Sequence, residues 1–241
     1  MSSMQGSESE WRKWRIQWED LFCKFVTMEM QEADPGHDLA HVRRVVNAAE
    51  RIGEAEGATA NVVLPAAWLH DCVVVPKDSP KRSQASRMAA DHAETFLSSI
   101  GYESSTLQAI RHAIVAHSFS AKVAPETLEA KVVQDADRLE AMGALGLARC
   151  LMTGGTMGTQ LVDPEEPFPV NRPADDAVSS VDHLFVKLLR LPQLMQTATG
   201  KSMAGKRVAF LEHFLRELAD ELYIDQQTLQ IALQLALKQS N

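Results

Sequence analysis

The sequence predicts an all-α protein, and three observations support that prediction. Apolar residues recur three and four positions apart through most of the 241 residues, which is the period of a helix. Glycine and proline fall between these stretches and separate them. No stretch gives a convincing strand pattern. We therefore expect a single helical domain over residues 11–241, preceded by a flexible N-terminus over residues 1–10.

The first half of the chain is predicted to contain five helices. Trp11, Trp14 and Trp18 recur at helical spacing at the start of the first helix. Gly57 ends the second helix and Gly101 ends the fourth, as glycine commonly does at a helix C-terminus. The five predicted helices span, in order, residues 11–30, 38–56, 61–70, 83–100 and 105–117.

The second half is predicted to contain one long helix, a segment rich in glycine and proline, and three closing helices. An apolar stripe from Leu128 to Leu147 predicts the long helix. Residues 153–177 include four prolines and are too long for a simple connection, so we expect a small lid or an excursion packed on the surface. The predicted helices span residues 126–152, 178–191, 203–223 and 226–237.

Composition and charge exclude several classes of protein. A net charge of -8 disfavours binding to long nucleic acid, whose affinity comes largely from neutralised phosphates. No apolar run approaches the roughly 20 residues that span a bilayer, and the polar start lacks a signal peptide. Cys23, Cys72 and Cys150 are odd in number and far apart, which fits a reducing compartment. We expect a cytoplasmic protein without membrane contact, and its helical surfaces leave the oligomeric state open.

An adjacent histidine and aspartate, His70-Asp71, end the apolar run over residues 62–69. Neighbouring side chains on a helix point about 100° apart. Both groups can therefore meet one cation only where the backbone turns out of the helix. His41 lies at the start of an earlier helix and supplies a second imidazole for the same kind of site.

Two carboxylates on the long helix are predicted to have different surroundings. Asp137 lies beside apolar positions such as Val133, and a carboxylate that faces a core needs a partner. A buried ion pair with an arginine would satisfy it, and so would a metal. Asp135 shares the other side of the helix with Lys131 and Arg138, so we expect it to be solvated or locally paired.

Two imidazoles and two carboxylates on three separate helices form a plausible ligand set for a divalent metal. The four residues are His41, His70, Asp71 and Asp137. Mixed nitrogen and oxygen ligands without thiolate suit Mn, Fe, Co, Ni or Zn. Mg prefers shells of oxygen alone and is less natural here.

The order of these residues resembles the HD-domain superfamily of metal-dependent phosphohydrolases, which is named for the adjacent pair found here as His70-Asp71. Local sequences extend the resemblance to the YedJ-like bacterial HD proteins. They are HDLAHVRRV from His37, AWLHD ending at Asp71, HAIVAHSFS from His112 and EAKVVQDADRLE from Glu129. Similarity continues through residues 163–168 and 182–184 and covers nearly the full chain.

The resemblance implies that the metal ligands are His41, His70, Asp71 and Asp137. Some HD proteins hold a second metal with two further histidines, for which His92 and His117 are the candidates here. His92 lies among alanines and can equally be a surface residue. His117 is expected to be either a second-site ligand or a phosphate contact, and His112 to be structural or to support a ligand.

Hydrolysis of a phosphorylated substrate needs a metal-activated water and positive charge around the phosphate. We assign catalytic roles to Asp71 and to Lys77, which lies on the loop that leaves the metal site. Arg44, one helical turn after His41, is expected to bind substrate together with Lys77, His37 and His117. Three further basic residues are weaker candidates, namely Lys81, Arg82 and Lys122.

The leading functional hypothesis is a metal-dependent phosphohydrolase that acts on a small phosphorylated substrate, most simply a nucleotide. One reaction that the resemblance implies is the splitting of a nucleoside triphosphate into a monophosphate and pyrophosphate. Three alternatives stay open. They are a 5′-nucleotidase-like phosphomonoesterase, a di-iron oxygenase on a related scaffold, and a non-catalytic metal-dependent nucleotide sensor.

Overall fold

A computed structural model describes residues 8–30, 38–75, 79 and 81–238 of the chain. Ten α-helices lie within these residues, and no strand does; one isolated bridge joins Gln160 and Ser179. The predicted all-α fold is confirmed. The helices are α1 Glu10–Glu29, α2 Leu39–Glu56, α3 Ala60–Leu69, α4 Ala85–Ser99, α5 Leu107–His117, α6 Leu128–Leu139, α7 Gly143–Met157, α8 Asp182–Val186, α9 Ala198–Glu221 and α10 Gln226–Lys238.

The chain separates into two compact units, Met1–Asp137 and Arg138–Asn241. The prediction of one domain over residues 11–241 stays a prediction. Residues 1–7 of the expected flexible N-terminus lie outside the described residues, whereas Ser9 accepts a hydrogen bond from the Arg12 N–H and caps α1. No helix in the described ranges has both the length and the apolar character needed to cross a bilayer.

Helix α3 is the central helix of the first unit, where it packs against α1, α2 and α5. Nine of its ten residues are buried, as expected for a helix that is apolar on all sides. Pro65 lies inside α3 and has no N–H to donate to the carbonyl of Asn61, four residues earlier. The Tyr102 hydroxyl donates to that carbonyl at 2.9 Å and accepts from the Trp14 indole N–H at 2.7 Å. Tyr102 therefore completes the hydrogen bonding of α3 and links it to α1.

The predicted long helix over residues 126–152 is wrong in its middle, because α6 ends at Leu139 and α7 begins at Gly143. Gly143 has a φ of +75°, a backbone conformation that favours glycine, and a Cβ there would lie 3.2 Å from Arg207. A Cβ on Gly146 would lie 2.3 Å from the Ala141 carbonyl. The two glycines allow a tight turn that the continuous apolar stripe conceals.

The segment predicted as a lid or packed excursion, residues 153–177, begins inside α7, which continues to Met157. Beyond α7 the segment is held by Arg172, whose guanidinium donates to both carboxylate oxygens of Asp182 and to the Glu166 carbonyl. Asp182 is fully buried, so Arg172 compensates its charge. The lid itself stays a prediction.

The predicted helix over residues 178–191 is wrong at both ends. Ser180 and Val181 donate backbone hydrogen bonds to Gln160 and Leu161, so this stretch pairs with the preceding segment before the short helix α8 begins. A 3-10 helix, Leu188–Leu194, follows α8. Helix α9 starts earlier than predicted, because Thr197 accepts a hydrogen bond from the Gly200 N–H and caps it.

We predict that Tyr102→Phe lowers the free energy of unfolding by about 1 to 3 kcal/mol, because it leaves a partly buried carbonyl and a buried indole N–H without partners. Urea unfolding followed by far-UV circular dichroism measures the change. Tyr223→Phe removes the same hydroxyl from a residue that is 98% exposed and is the matched control. Equal stability of the two variants would show that the link through Tyr102 contributes nothing.

Candidate metal centre

Three helices of the first unit place the four expected ligands. His41 lies in the first turn of α2, where the Asp38 side chain caps the helix by accepting from the His41 backbone N–H at 2.8 Å. His70 caps the C-terminus of α3, and Asp71 follows where the chain leaves the helix. Asp137 lies in the last turn of α6. The adjacent pair can converge because the helix ends at this position.

The side chains of these residues meet at one point. The Asp137 Oδ1 atom lies 3.6 Å from His41 Nε2 and 3.9 Å from His70 Nε2, and Asp71 Oδ2 lies 3.6 Å from His70 Nε2. One ligand atom each from His41, His70 and Asp71 all lie within 4.8 Å of one another. Two atoms that share a cation at about 2.1 Å lie about 3 to 4 Å apart. The spacing therefore fits a common metal ion.

His70 has the environment of a neutral ligand. Its Nδ1 lies 2.8 Å from the Ala67 carbonyl, which fixes the tautomer with the proton on Nδ1 and a lone pair on Nε2. Burial lowers the pKa of His70 and outweighs the opposing charge of Asp71. Its Nε2 is buried and has no hydrogen-bond partner in the described part of the chain. A cation between this nitrogen and the two carboxylates would satisfy all three groups, so the residues present fit a metal.

His117 reaches the same centre from the last turn of α5. Its Nδ1 lies 2.6 Å from the Ile114 carbonyl, and its Nε2 lies 3.5 Å from Asp71 Oδ1. Burial alone would lower the pKa of His117, but hydrogen bonding to Asp71 and the charge of Asp71 outweigh it and hold the pKa above its ordinary value. The two oxygens of Asp71 thus face different histidines.

The burial of the two α6 carboxylates differs from the expectation. Asp135, expected to be solvated or locally paired, is fully buried, whereas the Asp137 side chain is 31% exposed. Solvation of Asp135 is wrong because α6 is enclosed on most of its circumference, with residues 132–136 all buried, and its local pairing stays a prediction. Partial exposure of Asp71 and Asp137 leaves the centre open to a substrate.

The other sequence-predicted residues fall into three groups. Arg44 is described and lies half-buried on α2, one turn after His41. His37 and Lys77 lie outside the described residues, as does the side chain of Arg82. Lys81 and Lys122 are exposed.

Two further histidines are engaged away from the four ligands. The His92 Nε2 pairs with Glu29 at 3.0 Å, and its ring lies against Phe25. Neither contact of His92 involves one of the four expected ligands. His112 accepts a hydrogen bond from the Glu126 N–H at 3.0 Å, which matches the expected structural role.

Gln134 is a residue that sequence reasoning missed. It is 3% exposed, and its amide donates to the Ala116 carbonyl at 2.6 Å, directly before His117. Gln134 thereby ties α6 to the end of α5 that carries His117. The only sequence signal was a polar residue on the enclosed face of α6, next to Asp135.

Comparison with known proteins identifies the family of this chain. The family model described as "HD domain" matches residues 38–142, a range that includes all four expected ligands. The uncharacterized protein YpgQ of Bacillus subtilis is 35% identical over 197 residues, which cover 80% of this chain and 88% of that protein. The resemblance to the YedJ-like proteins is approximate within this family.

Solved structures extend the similarity over most of the fold. The crystal structure of Bacillus subtilis YpgQ in complex with ADP has a TM-score of 0.67 and 30% identity and covers 86% of this chain and 96% of its own. An HD-superfamily hydrolase from Bacillus thuringiensis has a TM-score of 0.69 and 29% identity, covering 88% of this chain and 100% of its own. The family model and these relatives together show that the chain belongs to the HD-domain superfamily of hydrolases.

Proposed function

We propose that the protein is a metal-dependent phosphohydrolase that acts on a small nucleotide. The observation that carries this proposal is the convergence of His41, His70, Asp71 and Asp137, with the buried Nε2 of His70 directed at two carboxylates. A divalent cation held by these residues supplies a Lewis acid and lowers the pKa of bound water from near 16 toward roughly 7.

The donor set supports a metal of intermediate character, namely Mn, Fe, Co, Ni or Zn, over Mg. Cys72 follows Asp71 directly, but its thiol donates to the Ala89 carbonyl, and burial raises its pKa to about 12. Because its thiol is engaged with that carbonyl, we propose that it does not add a thiolate to the site. The ligands therefore remain imidazole and carboxylate.

Asp71 is proposed to combine two tasks. Its Oδ2 faces His70 and is proposed to bind the metal, while its Oδ1 faces His117. Hydrogen bonding from His117 would orient the Asp71 carboxylate, and the same imidazole is placed to contact a phosphate oxygen. Arg44, Lys77 and His37 are proposed to neutralise and hold the phosphates, which is the main protein contribution to phosphoryl transfer.

The proposal of a nucleotide draws support from YpgQ, whose structure holds ADP. We propose that the reaction releases pyrophosphate from a nucleoside triphosphate. We also propose that it takes place in the cytoplasm and does not involve long nucleic acid. The di-iron oxygenase alternative is less well supported, because His92, one of its two further candidate ligands, pairs with Glu29. No observation in the described residues favours the phosphomonoesterase or the sensor over this proposal.

We predict that His70→Ala loses the bound metal, since it removes the buried nitrogen that faces both carboxylates. Protein loaded with Mn²⁺ and passed through a desalting column is measured by inductively coupled plasma mass spectrometry. His92→Ala is the matched control and is expected to retain the metal. His117→Ala is expected to retain one equivalent, and loss of a second would assign His117 to a second metal. Stoichiometric Mn in His70→Ala would contradict the proposed centre.

We predict that the metal-loaded protein releases pyrophosphate from at least one nucleoside triphosphate. The assay is a panel of nucleotides and phosphoesters with Mn, Co, Ni, Mg or Zn, and it detects pyrophosphate and phosphate separately. His70→Ala and Asp71→Ala are expected to lower the rate by about a thousandfold. Phosphate without pyrophosphate would support the phosphomonoesterase instead. Failure to hydrolyse any compound, or equal rates in wild type and both variants, would refute the proposed activity.

A further inference from the structure

An exposed phenylalanine follows two residues after His117, outside the helix that carries it. Phe119 is 78% exposed, the largest exposure among the eight phenylalanines of the chain. Three of the others, Phe22, Phe168 and Phe185, are buried. An aromatic ring left in water forgoes the free energy that burial provides. A ligand that covers the Phe119 ring would gain it.

The turn that carries Phe119 is held by its own hydrogen bonds. Phe119 opens a 3-10 turn in which the Ala121 N–H donates to the Ser118 carbonyl at 3.3 Å. The Lys122 N–H donates to the Phe119 carbonyl at 3.4 Å, and the hydroxyls of Ser118 and Ser120 lie 3.0 Å apart. Ala121 is buried. The exposed ring therefore stands on an ordered turn that is packed on the protein.

This turn lies where two segments that leave the candidate metal centre meet. One segment follows Asp71 and leads to a 3-10 turn, Arg82–Gln84, and the other follows His117. The two 3-10 turns are in contact, and the turn at Phe119 also packs against α4 and α5. Both segments begin at the centre, since His117 Nε2 lies 3.5 Å from Asp71 Oδ1. Phe119 is therefore at the rim of the centre.

Covalent geometry limits the separation of Phe119 from His117. Two residues of fully extended chain span at most about 7 Å between Cα atoms. A nucleotide whose phosphates lie against the metal ligands and His117 carries its base one ribose further out. The base and the Phe119 ring are therefore within reach of each other.

We propose that Phe119 is a specificity-determining residue that stacks on the base of the nucleotide. This inference rests on the proposed nucleotide substrate and adds the group that recognises its base. A phenyl ring offers a face and no hydrogen bond, and every base has a π-face. Stacking on Phe119 thus selects nucleotides over phosphorylated compounds that lack a base, while the groups around the metal bind the phosphates.

AMP and ribose 5-phosphate are the matched probes, because both carry a ribose and one phosphate and only AMP carries a base. Isothermal titration calorimetry on the Mn²⁺-loaded, full-length protein gives the Kd of each. Phe119→Ala is expected to raise the Kd for AMP by about tenfold, the size of one contact between a base and an aromatic ring, and to leave the Kd for ribose 5-phosphate unchanged. Phe119→Tyr keeps a ring and should bind AMP like wild type, whereas Phe119→Leu keeps only apolar bulk and should bind it as weakly as Phe119→Ala.

Phe210→Ala is the matched control, because Phe210 is also exposed, at 42%, and lies on α9. It should leave both Kd values unchanged. The inference is overturned if wild type binds AMP no more tightly than ribose 5-phosphate, if Phe119→Ala behaves like Phe210→Ala, or if Phe119→Leu binds AMP as tightly as wild type.

Turnover of nucleoside triphosphates separates this inference from the proposed function. Wild type that binds AMP through Phe119 and splits no triphosphate would refute the proposed function and uphold base stacking. Turnover by wild type, with the same Kd for AMP in wild type and Phe119→Ala, would refute base stacking alone.

Discussion

The buried imidazole of His70, facing the carboxylates of Asp71 and Asp137, forms the constraint on which the first unit depends. The Ala67 carbonyl fixes the tautomer of His70, so its Nε2 presents a lone pair toward Asp71 and Asp137. Lone pairs and negative oxygens at 3.6 to 3.9 Å repel one another unless a cation lies between them. The fold holds these groups at three helix ends, where side chains from separate helices can meet.

The packing around α3 explains how the helix end that carries His70 and Asp71 is kept in place. A proline inside a buried helix leaves a carbonyl unpaired, and Tyr102 supplies the missing donor. Tyr102 also fixes Trp14, and its ring lies 5.2 Å from that of Trp18. Hydrogen bonds and aromatic contacts of Tyr102 therefore anchor the helix that ends in His70 and Asp71. The candidate metal centre itself stays partly exposed, because the side chains of Asp71 and Asp137 are partly exposed.

Most helices of the first unit could be predicted from the sequence, because their signals are local. Apolar stripes set their lengths, and local residues such as Asp38 and Gly57 set their ends. The turn at Gly143 and the extended stretch before α8 could not be predicted. The turn depends on a glycine conformation inside a continuous apolar stripe and is joined to Arg207, which donates to the Leu139 carbonyl. The extended stretch depends on its pairing with Gln160, which leaves no periodic signal.

The convergence of the four expected ligands could be predicted because motif order and helix ends both indicated it, and their role as ligands stays a prediction. The surroundings of those ligands could not be named. Burial of Asp135 follows from the enclosure of α6 by its neighbours, and the pairing of His92 follows from the approach of α1 to α4. Gln134 has a role that appears only when α5 and α6 are seen together.

The proposed centre holds one divalent cation among His41, His70, Asp71 and Asp137. Anomalous diffraction at the Mn edge, from crystals grown with Mn²⁺, locates that cation. We expect a peak about 2.0 to 2.3 Å from the Nε2 atoms of His41 and His70 and from oxygens of Asp71 and Asp137. Ordered Mn²⁺ elsewhere, with no peak among these four side chains, would contradict it.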